Sequence, residues 1–246
     1  ECGEFAVNGD MYIGKKPIHW CSSCQTALAE AEIEYKDNTS PSVYVKFKMN
    51  DDPSFLSPAL SGKDVFIVIW TTTPWTLPAN LAVCLNPDFI YAAVEVGSGG
   101  VYILAKDLVE QVMKKFGIET YSVLAEFEAG RLENRRCRHP FYDRDSLVIL
   151  GDHVTIETGT GCVHTAPGHG ADDYIIGLKY GLEPYSPVGD NGCFVEDLER
   201  FGGQFILKAN KEIAAHMEAS GALVKQESIT HSYPHCWRCK KPVIFR

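Results

Sequence analysis

Two cysteine pairs, Cys21-Ser-Ser-Cys24 and Cys236-Trp-Arg-Cys239, stand near opposite ends of this 246-residue chain. Each has the knuckle spacing that lets two thiolates share one ion, and two knuckles make a tetrahedral four-thiolate site. Soft sulfur favours zinc over magnesium or calcium. An ion shared by both pairs obliges the fold to begin and end at one place. With every ligand drawn from protein the metal is expected to be structural, and no catalytic metal is expected. The competing account is four unrelated exposed thiols. Nine cysteines in all suit a disulfide framework poorly and point to a reducing, cytoplasmic setting. Cys2, Cys84, Cys137, Cys162 and Cys193 stand alone and read as small buried hydrophobes.

A second feature predicts a strand that stops abruptly. The apolar run Val65-Phe66-Ile67-Val68-Ile69 leads into Trp70-Thr71-Thr72-Thr73-Pro74-Trp75-Thr76-Leu77-Pro78-Ala79-Asn80. Pro74 cannot donate to a ladder and turns Thr73 away from helix. The hydroxyls of Thr71, Thr72 and Thr73 therefore collect at a strand end, where side chains can converge on a ligand. A threonine-rich edge without chemistry is the plainer reading.

A third segment runs Gly159-Thr-Gly-Cys-Val-His164-Thr-Ala-Pro-Gly-His169-Gly-Ala-Asp172-Asp173-Tyr174. It predicts a strand at Val154–Ile156, a glycine-punctuated loop, and a helix over roughly Ala171–Tyr180 whose apolar face carries Ile175, Ile176, Leu178 and Tyr180. Asp172 and Asp173 fall in its first turn, where the helix dipole favours ionised carboxylates. Ordinary capping accounts for at least one of them.

The threonine-rich strand end together with the His-Thr-Ala-Pro-Gly-His-Gly-x-Asp-Asp-Tyr loop resembles the editing domain of isoleucyl-tRNA synthetase, the insertion called connective polypeptide 1. The likeness extends through Leu28–Tyr35 and His231–Arg246. Thr-Thr-Thr-Pro-Trp-Thr is similar to the isoleucine form; valyl and leucyl relatives usually carry Arg after two threonines. The resemblance implies a mixed α/β fold, a β-barrel-like core flanked by helices, with the zinc knuckle at the joined ends. Residues 1–40 and 228–246 are expected to form a stem to the parent enzyme, and 41–227 the editing domain proper. Relatives carry zinc at positions matching the cysteine pairs.

The implied activity is hydrolysis of valyl-tRNA(Ile), with valyl-adenylate a further substrate. Asp173 matches the acid that binds the substrate's α-ammonium group. His164 matches the position that crowds out isoleucine, while His169 stabilises its loop. Thr71, Thr72 and Thr73 are expected to hold the ester, the terminal ribose or the attacking water. No general base is evident, and a lone threonine is a poor nucleophile without one, so water attacks directly. Trp70 is expected as a pocket wall and Trp75 as core; Asn80 either touches substrate or steadies its turn. A zinc hydrolase built on His164, His169 and Asp173, a tRNA-end binding module without catalysis, and a valine-type editing domain clearing threonine are the rival readings.

Composition sets outer bounds. With 45% apolar residues the chain can bury a large core, and no apolar run is long enough to span a membrane. A net charge of −9 argues against strong nucleic-acid affinity of its own. Basic groups do gather at Arg131, Arg135, Arg136 and Arg138, and at Arg238, Lys240, Lys241 and Arg246, and read as solvated faces. The expected partners are the 3′ end of tRNA(Ile) and the remainder of the synthetase, with this chain a monomer. Amino-acid activation is not expected, since the His-Ile-Gly-His and Lys-Met-Ser-Lys-Ser signatures are missing. Further strands are predicted at Val43–Met49, Leu81–Leu85, Tyr91–Val96, Val101–Leu104, Tyr121–Ala125, Ser146–Leu150 and Leu223–Gln226. Helices are predicted at Lys106–Phe116 and Lys208–Ser220, with turns at Asn86–Asp88 and Gly97–Gly100.

Overall fold

The computed structural model describes residues 2–11, 14–97 and 100–246; Ser98 and Gly99, inside the turn expected at Gly97–Gly100, lie outside them. In chain order the elements are α1 (Cys2–Val7), β1 (His19–Cys21), β2 (Thr26–Ala27), β3 (Ile33–Lys48), β4 (Val65–Thr71), β5 (Ala82–Leu85), β6 (Ile90–Glu95) and β7 (Val101–Ala105). There follow α2 (Val109–Phe116), β8 (Ser122–Glu128), β9 (Arg136–Arg138), β10 (Asp145–Leu150) and β11 (Cys162–Thr165). The chain closes with α3 (Ala171–Lys179), α4 (Ile206–Ala219), β12 (Leu223–Cys236) and β13 (Ile244–Phe245).

A six-stranded sheet runs in the order β12-β3-β4-β7-β6-β8, and a four-stranded one in the order β11-β5-β10-β9. Both are open. Among the described residues a single bridge, Met49 to Cys137, joins them, and β11 packs against β4. The core is thus mixed and barrel-like in its wrapping, with no ladder closing either sheet. β4 sits inside the larger sheet, and its β-branched run Val65, Ile67, Val68 and Ile69 is buried, as a central strand requires. Tyr44, Phe47, Leu77, Ile103 and Leu104 are among the buried residues of the main core.

β3 and β12 form one long antiparallel ribbon. The inner part of β3, Ser42–Val45 and Phe47, is buried, while its β12 partners there are half-exposed or exposed and from Ser40 outward the ribbon is mostly polar. Only the inner residues announce themselves by hydrophobicity, so the expected strand ends at Gln226 whereas β12 runs on to Cys236. Cross-strand partners sustain the outer half, such as Thr39 and Thr230, whose hydroxyls meet at 2.9 Å. The expected boundaries at 40/41 and 227/228 fall opposite one another, since Pro41 faces Ser228 across the ribbon. At its outer end β1, β2 and β13 make a small sheet that carries the cysteines.

Three expectations are corrected. Val154–Ile156 is not a strand; Val154 is buried in a small cluster with Ala82, Cys84, Ile149 and Ile176, and the strand entering the glycine loop is β11. Of the apolar side chains expected on the inner face of α3 only Ile176 is buried, while Ile175 and Leu178 are 67% and 56% exposed. Of the lone cysteines Cys84, Cys137 and Cys162 are buried, but Cys2 is exposed and Cys193 half-buried.

β11 enters through Gly161, which has φ +72° and whose missing Cβ would lie 2.4 Å from the Ala105 Cβ on β7. Gly117, ending α2 at φ +73°, would place a Cβ in open space. Gly117→Ala should therefore cost only the roughly 1–2 kcal/mol of a left-handed residue. Gly161→Ala should add overpacking of about 1–3 kcal/mol. Urea unfolding of both variants checks this; equal losses would show that β7 and β11 have room to part.

Candidate active site

The threonine turn is ordered by its own hydroxyls. Beyond β4, Pro74 opens a 3-10 run, Pro74–Ala79, that is buried throughout. The Thr71 hydroxyl accepts from the Thr73 N–H at 3.1 Å and lies 3.2 Å from the Thr73 hydroxyl. Thr76 donates to the Thr73 carbonyl at 2.8 Å. Thr71 is buried, whereas Thr72 and Thr73 are half-buried. The Thr71, Thr73 and Thr76 hydroxyls form a row.

His164, on β11, is buried against this row. Its Nε2 stands 2.9 Å from the Thr76 hydroxyl and its Nδ1 3.4 Å from the Asn80 amide nitrogen. Because Thr76 has already given its hydrogen to Thr73, it must accept, so Nε2 carries the proton. Nδ1 then accepts from Asn80. Burial, with a smaller push from His169, holds the ring's pKa down at about 4. His164 is a neutral ring with both nitrogens engaged.

Asp173 lies in the first turn of α3 and its Oδ2 accepts from the Ala166 N–H at 2.8 Å. Burial pushes its pKa up to about 6; the Ala166 bond pulls it down and nearby Asp172 pushes it up further. A Cβ on Gly168 would lie 2.2 Å from the Tyr185 carbonyl oxygen, so the loop needs glycine there, whereas one on Gly170 would lie 3.1 Å from the Asp173 Cγ and press on that carboxylate. His169 donates through Nδ1 to the Phe245 carbonyl at 2.8 Å and packs edge-on against Trp75, tying the loop to β13. Its pKa is also about 4, lowered by burial. Asp172 is exposed and borders a hollow of about 280 Å³ with His153 and Lys179.

One short strand therefore joins the two motifs. His164 reaches the threonine turn, and Ala166, two residues on, holds Asp173. Asn80 sits at the entry to β5, between His164 and Ser146 of β10. Trp70 is not brought into this group. Adjacent residues of a strand point to opposite faces, and next to Thr71 its ring faces the other way. Its indole donates to Ser42, and the ring lines a separate hollow of about 200 Å³ with Tyr44, Gln111 and Lys115. Trp75 is core. Thr76, Ser146 and Arg144 were missed: Thr76 is spaced three from Thr73, the 3-10 period, whereas only sheet register brings Ser146 near Asn80.

Among the described residues, the four knuckle cysteines are the one group whose donor atoms converge as a metal would need, all within 4.8 Å of one another. Sulfurs around a zinc at ~2.3 Å would stand about 3.8 Å apart, and Cys21 and Cys239 are 3.4 Å apart. The donor set fits. His164, His169 and Asp173 form no such group. Both basic clusters are largely consumed by local partners: Arg135 meets Asp51 at 3.5 Å, Lys240 meets Glu34 at 2.6 Å, and Arg138 and Arg246 pair with Asp143 and Asp190.

Comparison with known proteins places this architecture. A family model described as tRNA synthetases class I (I, L, M and V) matches residues 2–231. The chain belongs to the class I tRNA synthetase family. It is 58% identical to the isoleucine–tRNA ligase of Syntrophotalea carbinolica and 57% identical to that of Geobacter sulfurreducens, over 100% of its own length. It spans 26% of each of those relatives. Among solved structures it shares the fold of GlLeuRS-CP1, with a TM-score of 0.62 at 16% identity over 76% of this chain and 98% of that one. It is also similar in fold to the P. knowlesi cytosolic leucyl-tRNA synthetase editing domain, with a TM-score of 0.57 at 13% identity over 80% and 97%.

Two outcomes follow. His139, His164 and His169 are held by burial at about 3, 4 and 4. As pH falls from 6.5 toward 4 the unfolded chain takes up protons that the folded one refuses, so stability falls, by up to about 3 kcal/mol per histidine. Asp173, with its raised pKa, acts in the opposite sense: the stability it lends is full below pH 3.8 and is lost as pH rises through about 6. Three histidines outweigh one carboxylate, so urea midpoints should drop between pH 7 and 4.5, less steeply in His164→Gln. Separately, Cys239→Ser should cut bound zinc from about one per chain to near none and lower the melting temperature, read by metal analysis and calorimetry. Full zinc occupancy in that variant would refute the four-thiolate site.

Proposed function

We propose that this chain is an editing domain that hydrolyses valyl-tRNA(Ile), and valyl-adenylate as a second substrate. The observation that carries the reading is the joining of the threonine turn, His164 and Asp173 through β11. A pocket that fits isoleucine admits valine at a cost of only about 1–3 kcal/mol, a figure established for the isoleucine enzymes themselves and not a result of this structure. A second pocket that destroys the smaller product restores accuracy.

Asp173 is ionised above about pH 6 and takes the substrate's α-ammonium group, which restores the pairing its burial lacks. His164, neutral and pinned, serves as a wall that admits valine and collides with isoleucine. The hydroxyls of Thr71, Thr72 and Thr73 hold the ester and a water. With the His164 Nδ1 lone pair already engaged by Asn80, that ring is no general base. As water adds to the ester carbonyl and the acyl–oxygen bond breaks, the water's proton is relayed by the neighbouring ribose hydroxyl to the departing ribose oxygen. Zinc in the cysteine knuckle would brace the stem and supply no chemistry to this cleft. The 3′ end of tRNA(Ile) and the rest of a monomeric cytoplasmic synthetase are the partners.

Deacylation assays decide the matter. Asp173→Ala should slow valyl-tRNA(Ile) hydrolysis by about 100-fold, the ~3 kcal/mol of a charge-assisted bond. His164→Ala should open the site to isoleucyl-tRNA(Ile). Tight binding of valyl-tRNA(Ile) by the unaltered protein with no release of valine would leave a binding module and end this proposal.

A further inference from the structure

We infer that Ser146 is a positioning residue that sets where the editing sieve draws its line, acting through Asn80 on His164. The inference rests on the reading of His164 as the wall that excludes isoleucine. Asn80 and Ser146 are fully buried, so each polar atom there needs a partner. The Ala82 carbonyl, which can only accept, lies 2.7 Å from one end of the Asn80 amide, identifying that end as Nδ2. The other end is then Oδ1, and it takes the Ser146 hydroxyl at 2.5 Å.

The second hydrogen on Nδ2 points to the His164 Nδ1 at 3.4 Å, a long contact whose quality depends on where the amide is held. The backbone beneath it is clamped as well. The Arg144 guanidinium, lying over Tyr142 and Tyr185, donates to the Pro78 carbonyl at 2.6 Å and the Asn80 carbonyl at 3.0 Å. The whole row has one direction: Ser146 to Asn80, Asn80 to His164, His164 to Thr76, Thr76 to the Thr73 carbonyl.

Without the Ser146 hydroxyl, Oδ1 is left dry and the amide must shift to find a donor. His164 then keeps only its Thr76 bond and can pivot about it. Discrimination by one methylene is worth only about 10–200-fold, so a small tilt of the wall consumes much of it. The chemistry on valine, which does not reach the wall, is untouched.

The test compares deacylation of valyl- and isoleucyl-tRNA(Ile) by the protein and its Ser146→Ala variant. Isoleucyl-tRNA(Ile) hydrolysis should rise by roughly ten-fold while the valyl rate moves by less than about two-fold. In ¹⁵N spectra of the imidazoles, the His164 Nδ1 signal should shift as its Asn80 donor is lost, while Nε2 stays protonated against Thr76. Ser146→Thr, which keeps the hydroxyl, should restore both. Ser146→Cys, which keeps the volume but weakens the donor, is read in the same way should Ser146→Ala fail to fold. An unchanged isoleucyl-to-valyl ratio with an unchanged imidazole spectrum overturns the inference. If the unaltered protein hydrolyses neither ester, the editing reading falls instead, and the imidazole spectrum alone decides whether Ser146 positions His164.

Discussion

Burial behind the Pro74–Ala79 turn strips water from the site, and its remaining properties follow from that desolvation. The same effect acts in opposite directions on acids and bases. It pushes His164 and His169 down to about 4 and Asp173 up to about 6. Near neutral pH this leaves two uncharged rings and one carboxylate held by a single backbone N–H. Under the proposed function that one charge pairs with the substrate's ammonium group. Among the described residues His164, His169 and Asp173 form no hydrogen-bonded acid–base pair, and the proposed reaction, with water as nucleophile, asks for none.

The sheets make that desolvation possible. β5 lies between β10 and β11, in parallel register with the first and antiparallel with the second. Ala82 therefore faces Leu147 on one side and Thr165 on the other. Asn80, just before β5, is delivered to the gap between Ser146 and His164 without any local sequence signal. β11 continues past Thr165 into the glycine loop, so the strand that buries His164 also sets the backbone N–H that holds Asp173. A shift of one residue in β11 would turn His164 to the opposite face and misplace Ala166 together.

Much of this was legible in the chain because chemistry and geometry coincided there. The β-branched run before Pro74 and the acidic turn after Gly170 are local signals, and α2, α4 and most strands follow from periodicity. The paired cysteines announced that the ends meet. Two kinds of feature were not legible. The polar outer half of β12 lacks a buried face and exists because β3 is opposite it. The orientation of Trp70 depends on strand alternation at the point where β4 stops, so a residue adjacent to the threonines lies on the far side of the sheet. Polar contacts across the sheets, such as Ser146 with Asn80, leave no trace in spacing at all.

The exposed apolar side chains of α3 fit the same logic. The rotation of α3 is tied to the Asp173 carboxylate, which accepts from the Ala166 N–H. Ile176 then faces the small cluster around Val154, and Ile175 and Leu178 are carried outward, whatever their hydrophobicity. Burying them by rotating the helix would move Asp173 away from the Ala166 N–H. The helix rotation observed is the one that sets the Asp173 Oδ2 on the Ala166 N–H. Apolar periodicity alone therefore predicts the wrong face for α3, and the site chemistry predicts the right one.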